Sequence, residues 1–230
     1  MRVEPFDIGS YVHVVKRGAR GLPITRNKQD CERFVRLLYY LNDEFRAEFW
    51  EQDVRKLKIF ERPKSWPARR PLVKILGWTL MPNHFHLLLK ETQDDGVTRF
   101  MQSLCGSMTR HYNEKYEERG SIFQGAYRSR TIETDRYLRW AVSYVLVKNV
   151  FELYPGGYER AVKEFDKAWE WGTHTYAYSS LKDFAISKES PIVDFELLGS
   201  LFTSDADFKK CSRDMILSHQ SSSNQGVSFE

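Results

Sequence analysis

Apolar and polar positions along this chain follow two periods, and the switches between them mark the elements. Tyr11-Val12-His13-Val14-Val15-Lys16-Arg17-Gly18 reads as a first strand that leaves through a basic turn at Arg17, Gly18 and Arg20. From Asn27 to Trp50, Phe34, Leu37, Leu38, Leu41 and Phe45 recur at three- and four-residue steps, the spacing of an amphipathic helix packed on a sheet. Leu72 to Leu80 reads as a strand, and a Pro82-Asn83 turn leads into His84-Phe85-His86-Leu87-Leu88-Leu89, a short buried one. Val97, Phe100, Met101, Leu104, Cys105, Met108, Tyr112 and Tyr116 then keep helical spacing through Glu118. Thr134 to Val150 predicts a further helix, with Thr134 or Asp135 as N-cap and Leu138, Ala141, Val142 and Val145 as its buried stripe. Tyr144 falls to one side of that stripe, in line with Tyr137 and Lys148. Past Gly156-Gly157 come another helix and the aromatic Trp169-Glu170-Trp171. Phe195 to Ile216 reads as a pair of short helices, and the serine-rich end, 217–230, as a disordered tail.

Chemistry enters at the histidine strand. Side chains alternate faces along a strand, so His84 and His86 project to the same side, about 7 Å apart, while Phe85, Leu87 and Leu89 point into a core. Two imidazoles on one face can hold a divalent ion and leave coordination positions open. The plainer alternative is a pair of half-buried, hydrogen-bonded histidines. His13, on the face of Tyr11 and Val15, reads as a packed strand histidine. Between Asp53 and Arg70, seven cations (Arg55, Lys56, Lys58, Arg62, Lys64, Arg69, Arg70) are interrupted by Pro63, Trp66 and Pro67. That is an irregular basic arm, either a solvated loop or a phosphate contact. In Gly120-Ser121-Ile122-Phe123-Gln124-Gly125-Ala126-Tyr127-Arg128-Ser129-Arg130, a loop and short strand would present Gln124, Arg128 and Arg130 to phosphates or bases.

Composition narrows the classes. At 230 residues, 41% hydrophobic and 14% aromatic, the chain can bury a core as one domain with extensions. A net charge of +4 permits a nucleic-acid partner without demanding one. Cys31, Cys105 and Cys211 form no C-x-x-C pair, which argues against a zinc-thiolate site or a disulfide framework and for reduced thiols in the cytoplasm. Met1-Arg2-Val3-Glu4-Pro5 does not open like a signal peptide, and no apolar run approaches a membrane span, so no membrane partner is expected.

Met81-Pro82-Asn83-His84-Phe85-His86-Leu87-Leu88-Leu89 closely resembles the histidine-hydrophobe-histidine signature of the HUH-type single-tyrosine transposases (IS200-like), and within them the REP-associated branch. The first strand with its Arg-Gly exit, the Phe123-to-Ser129 segment, Ser143-Tyr144-Val145-Leu146-Val147 and Tyr176-Ala177-Tyr178-Ser179-Ser180 extend the resemblance from about Gly9 to about Ser180. It implies an α+β fold: a ferredoxin-like core with a central antiparallel sheet and packed helices, plus a helical C-terminal extension. The transposase domain would span 1–155, with the basic arm near 53–70, and the extension 156–216. It further implies that His84 and His86 hold Mg²⁺ or Mn²⁺ and that Tyr144 attacks single-stranded DNA, leaving a 5′-phosphotyrosine link. The implied substrate is a REP-like hairpin, handled by a monomer or homodimer. The candidate contacts are Arg17, Arg69, Arg70, Gln124, Arg128, Arg130 and Lys148.

The chain departs from the family at one place. An asparagine or glutamine usually stands four residues after the tyrosine and completes the metal site; here that residue is Lys148, with Asn149 next. A protonated lysine cannot ligate a cation. The following residue is rotated about 100° around an α-helix, so Asn149 substitutes only if the helix ends or shifts. Three outcomes are open: water or another side chain as third ligand, Lys148 supplying charge in place of the metal, or a hairpin-binding protein that has lost catalysis. A hydrolase using the same histidines with water as nucleophile is a further rival.

Overall fold

The computed structural model describes residues 6–187, 189–195 and 201–222. Strand β1 (Tyr11–Arg17) is followed by helix α1 (Lys28–Tyr40), short α2 (Trp50–Asp53), β2 (Val73–Met81), β3 (His84–Glu91), α3 (Gly96–Tyr116) and β4 (Arg128–Ile132). The four strands pair antiparallel in the order β2-β3-β1-β4. With the order of helices this is the β-α-β-β-α-β ferredoxin-like arrangement, and the chain is α+β as expected.

Register assigns the two faces. Val15 lies opposite both His86 and Arg128, Arg17 opposite His84, His13 opposite Arg130, and Thr79 opposite His86. Residues directly opposite share a face, so these side chains stand together on one side of the sheet. On the other side Val12, Val14, Phe85, Leu87 and Leu89 are fully buried under α1 and α3. There Phe34 packs 5.1 Å from Phe85 and 6.1 Å from Trp78, ring centre to ring centre.

Asn27 caps α1 by accepting the Asp30 N–H, but the helix stops at Tyr40 instead of running to Trp50. Buried Asn42 uses its amide to bridge the N–H and carbonyl of Val73, at 3.0 and 2.9 Å, and buried Asp43 pairs with Arg62 at 2.5 Å. These polar contacts draw the chain out of the helix and onto the start of β2, which leaves Phe45 exposed rather than in the buried stripe. The basic arm is irregular as expected, yet several of its cations are committed. Arg62 stacks on Trp66 and Arg69 on Tyr39 of α1, with 5.1 and 4.4 Å to the ring centres.

The helix expected over Thr134–Val150 changes pitch midway. It runs as α4 (Asp135–Ser143), a π-turn (Tyr144–Lys148) and α5 (Asn149–Glu152), with the Asn149 N–H donated to the carbonyl of Tyr144, five residues back. The Val145 carbonyl, which an α-helix would give to Asn149, instead accepts the Thr79 hydroxyl at 2.6 Å. Gly77 leaves room beside it for Leu146: a Cβ there would lie 3.2 Å from that side chain. β2 therefore sets the phase of this helix.

The C-terminal extension packs onto the same core. After α6 (Tyr158–Lys163) and α7 (Phe165–His174), the Leu80 N–H bonds the Tyr178 carbonyl and the Ser180 N–H bonds the Trp78 carbonyl, each at 2.9 Å. That pairing covers the outer edge of β2. Of the stretch expected as two short helices, 196–200 lie outside the described residues, Leu201 is helical, and helix α8 (Asp205–Ser222) follows, tied to α4 by an Arg139–Asp207 pair at 2.9 Å. The helix carries through 217–222, where a disordered tail was expected; 223–230 lie outside the described residues. Among the described residues no helix is long and apolar enough to cross a membrane.

Candidate active site

Three elements converge on the polar face of the sheet. β3 contributes His84 and His86, whose rings lie 5.0 Å apart at 69° and are almost fully buried. His84 Nδ1 lies 2.7 Å from Asn83 Oδ1, whose amide nitrogen in turn donates to the Gly21 carbonyl at 3.2 Å. His86 Nδ1 lies 3.0 Å from His13 Nε2 on β1, and His86 Nε2 is buried with no hydrogen-bond partner. Burial, then the neighbouring His13, His84, Lys148 and Arg17, hold His86 well below the usual histidine range. Burial, helped by the charge of Arg130, lowers His13 to about 4. Both imidazoles are therefore neutral near pH 7, the form in which a histidine ligates a metal.

The π-turn brings Tyr144 against them. Its ring meets those of His86 and His13 edge-on, at 5.9 and 5.8 Å, and stacks on Trp140 at 5.2 Å. Lys148 Nζ donates to the Tyr144 hydroxyl at 3.5 Å and to Glu152 at 2.5 Å. Burial works against the Lys148 ammonium, but the Tyr144 oxygen and the Glu152 carboxylate outweigh it, so its pKa is raised. The π-turn bears on the register question: it rotates Asn149 closer to the side of Tyr144 than an α-helix would, while Lys148 still reaches the Tyr144 hydroxyl. Asn149 is 1% exposed, and neither Oδ1 nor Nδ2 of its amide has a hydrogen-bond partner. Among the described residues no cluster of three or more His, Cys, Asp or Glu side chains forms a metal cage, so an ion held by His84 and His86 needs an amide or water as well.

The candidate DNA contacts divide into two groups. Arg17, Gln124 and Arg128 line one cleft of about 140 Å³. The Gln124 N–H is donated to the Arg17 carbonyl at 2.9 Å. Arg130 shares their face and lies 5.0 Å over the ring of Tyr137, which stacks on Trp140. Arg69 and Arg70 are not brought to this face. Arg69 is spread on Tyr39 and donates to its carbonyl at 3.5 Å, while Arg70 is largely exposed, 3.9 Å from Glu44. A larger cleft, about 530 Å³, lined by Arg33, Glu51 and His111 among others, contains none of the candidate residues. Two members of the site had no clear signal along the chain. His13 was visible only as a packed strand histidine, and nothing along the chain singled out Trp140.

Gly18 closes the site from below. Its N–H is donated to the Asn83 carbonyl at 2.7 Å, and a Cβ there would stand 2.2 Å from the Leu22 carbonyl and 3.1 Å from that of Asn83. Gly18→Ala is expected to cost about 1–3 kcal/mol as an overpacking change, and to disturb His84 through Asn83. The urea midpoint measures the first effect, and the His84 ring resonances the second.

Residues 44–147 match the family model described as "Transposase IS200 like", a span that contains His84, His86, Gln124, Arg128, Arg130 and Tyr144. No curated protein matches the chain. A solved structure described as a REP-associated tyrosine transposase bound to a REP hairpin aligns at 16% identity over 85% of this chain and 94% of that one, with a TM-score of 0.44. That likeness is too distant to add to what the strand order already shows. The paired histidines and the helical tyrosine all lie inside the matched span, and over that span the chain is similar to the IS200-like transposases.

Proposed function

We propose that this chain nicks and rejoins single-stranded DNA at REP-like hairpins, through a metal-dependent reaction with a 5′-phosphotyrosine intermediate at Tyr144. The observation that carries this reading is the setting of Tyr144: its hydroxyl is touched by the Lys148 ammonium and its ring by His86, on a face that also bears Arg17, Arg128 and Arg130. The residues present fit a divalent cation. His86 has a buried, unpartnered Nε2, and Asn149 has a buried amide oxygen without a donor. His84, His86 and Asn149 would hold Mg²⁺ or Mn²⁺, which when bound polarises the scissile phosphate and spreads its developing charge.

Tyr144 Oη forms the bond to phosphorus while the bond to the 3′ oxygen breaks. The phenol gives up its proton to solvent and the departing oxygen gains one, leaving a free 3′-OH that can reverse the step. A free tyrosine has a pKa near 10, so loss of that proton needs help. Lys148 stays protonated and favours the phenolate by charge. Lys148→Gln is therefore expected to slow adduct formation about tenfold, near the value of one hydrogen bond to a charged group. A variant as fast as the parent would remove that role.

DNA is gripped by Arg17, Gln124, Arg128 and Arg130 beside the site, while Arg69 serves the packing of the arm and Arg70 stands apart from this face. Three arginines on phosphates give a slope of log affinity against log salt between about −2 and −3. Three free cysteines suit a reducing cytoplasm.

A second reading is favoured by Lys148 standing at the nucleophile: a hairpin-binding protein that no longer cuts. The deciding experiment incubates 3′-labelled single-stranded hairpin DNA, taken from beside the gene, with the protein in Mn²⁺ or EDTA and runs a denaturing protein gel. A labelled band at the mass of the protein in Mn²⁺ alone supports the transesterase. Tight binding with no such band supports the second reading.

A further inference from the structure

β1 brings to the site a third imidazole that the proposed reaction leaves without a task. The ring of His13 lies nearly parallel to that of His86, 5.2 Å away at 16°, with Nε2 3.0 Å from His86 Nδ1. It also meets the Tyr144 ring edge-on at 5.8 Å. A hydrogen bond between two neutral imidazoles needs one N–H and one lone pair, so only two assignments exist. If His13 donates, His86 carries its proton on Nε2, an atom that is buried with no acceptor. If His86 donates from Nδ1, Nε2 keeps a lone pair. A buried orphan N–H is rarer than an under-satisfied acceptor, so the second assignment is preferred even without a ligand.

β3 uses the same device one step away. His84 Nδ1 faces the amide oxygen of Asn83 at 2.7 Å, an acceptor that calls for the proton on Nδ1. Both imidazoles would then present their Nε2 lone pairs.

We infer that His13 is a positioning residue: it accepts the Nδ1–H of His86, fixing that ring's tautomer and tilt so that the Nε2 lone pair is available to a divalent cation. This rests on the reading of His84 and His86 as metal ligands. Partners that take the second N–H of a ligating histidine typically govern metal affinity by 10- to 100-fold. Because the same His13 ring abuts Tyr144, it also couples the orientation of the ligand to the seat of the nucleophile.

The test has two arms. In ¹⁵N-labelled, metal-free protein at pH 7.5, long-range ¹H–¹⁵N correlation is expected to find His86 protonated at Nδ1 and bare at Nε2. In the second arm, Mn²⁺ binding is followed by the loss of the free-ion electron paramagnetic signal. His13→Phe, which keeps the ring packing, is expected to weaken Mn²⁺ about 10- to 100-fold, and His13→Gln, whose carbonyl can accept the same N–H, to recover most of the loss. A wild-type His86 protonated at Nε2 overturns the inference, and so does His13→Phe binding Mn²⁺ as tightly as the parent. His13→Gln as impaired as His13→Phe overturns the acceptor role. If wild-type protein fails to bind Mn²⁺ while His86 has the expected tautomer, the metal reading falls and takes the task of His13 with it. A wrong tautomer with intact Mn²⁺ binding removes His13 alone. Should His13→Phe misfold, the tautomer measured in the parent still decides.

Discussion

Tyr144→Phe is expected to abolish the covalent protein–DNA product and to reduce nicking at least about 10⁴-fold, the scale on which loss of a nucleophile acts. The change removes one oxygen and little else. The ring keeps its stack on Trp140 and its edge contacts with His13 and His86. The contact of the hydroxyl with Lys148 is a long one, 3.5 Å, and that ammonium retains Glu152 at 2.5 Å. Stability is therefore expected to stay within about 1 kcal/mol of the parent. Hairpin affinity should change less than about twofold, because the arginines that grip phosphates are untouched. That separation matters, since a loss of cutting with binding intact isolates chemistry from recognition. If Tyr144→Phe cuts at the parent's rate, the nucleophile is water and the metal-dependent hydrolase is the better account. Nicking by the parent with no trapped adduct would point the same way.

Much of this was legible along the chain because it depends on local period. Alternation placed His84 and His86 on one face and Phe85, Leu87 and Leu89 on the other, and the register bears that out. The stripe through Val97, Phe100, Met101 and Leu104 lies buried as a helix should. What escaped depends on partners far away in sequence. Nothing near Tyr40 says that α1 must stop; the reason is Asn42 serving the backbone of Val73 and Asp43 meeting Arg62. His13 could be assigned to a face, but its contact with His86 requires knowing that β1 and β3 are neighbours. Periodicity carried an unbroken helix through Tyr144, because the π-turn is imposed by the Thr79 hydroxyl of β2 on the Val145 carbonyl. Arg69 looked like any cation of the arm until Tyr39 was found beneath it.

Asn149→Leu is expected to make the metal-free protein more stable and the enzyme worse. The amide of Asn149 is 1% exposed and neither of its polar atoms has a hydrogen-bond partner. Burying an amide without partners costs roughly 1–3 kcal/mol, which an apolar side chain of similar shape avoids. In EDTA the variant should therefore melt higher, by about 2–4 °C per kcal/mol for a chain of this size. A cost of that kind persists where a ligand offsets it. On the proposal that His84, His86 and Asn149 hold the ion, the Asn149 amide oxygen would be the third donor. A ligand that binds only the folded state raises stability, by about 2.7 kcal/mol at a hundred times its dissociation constant. Wild-type protein should thus melt higher in Mn²⁺ than in EDTA, and Asn149→Leu should lose most of that rise together with adduct formation. The opposite pattern, a less stable variant that keeps its Mn²⁺ response, would make Asn149 a packing residue. The position after Tyr144 would then be left to Lys148, which cannot ligate, and the reading of a retired enzyme would gain what the transesterase lost.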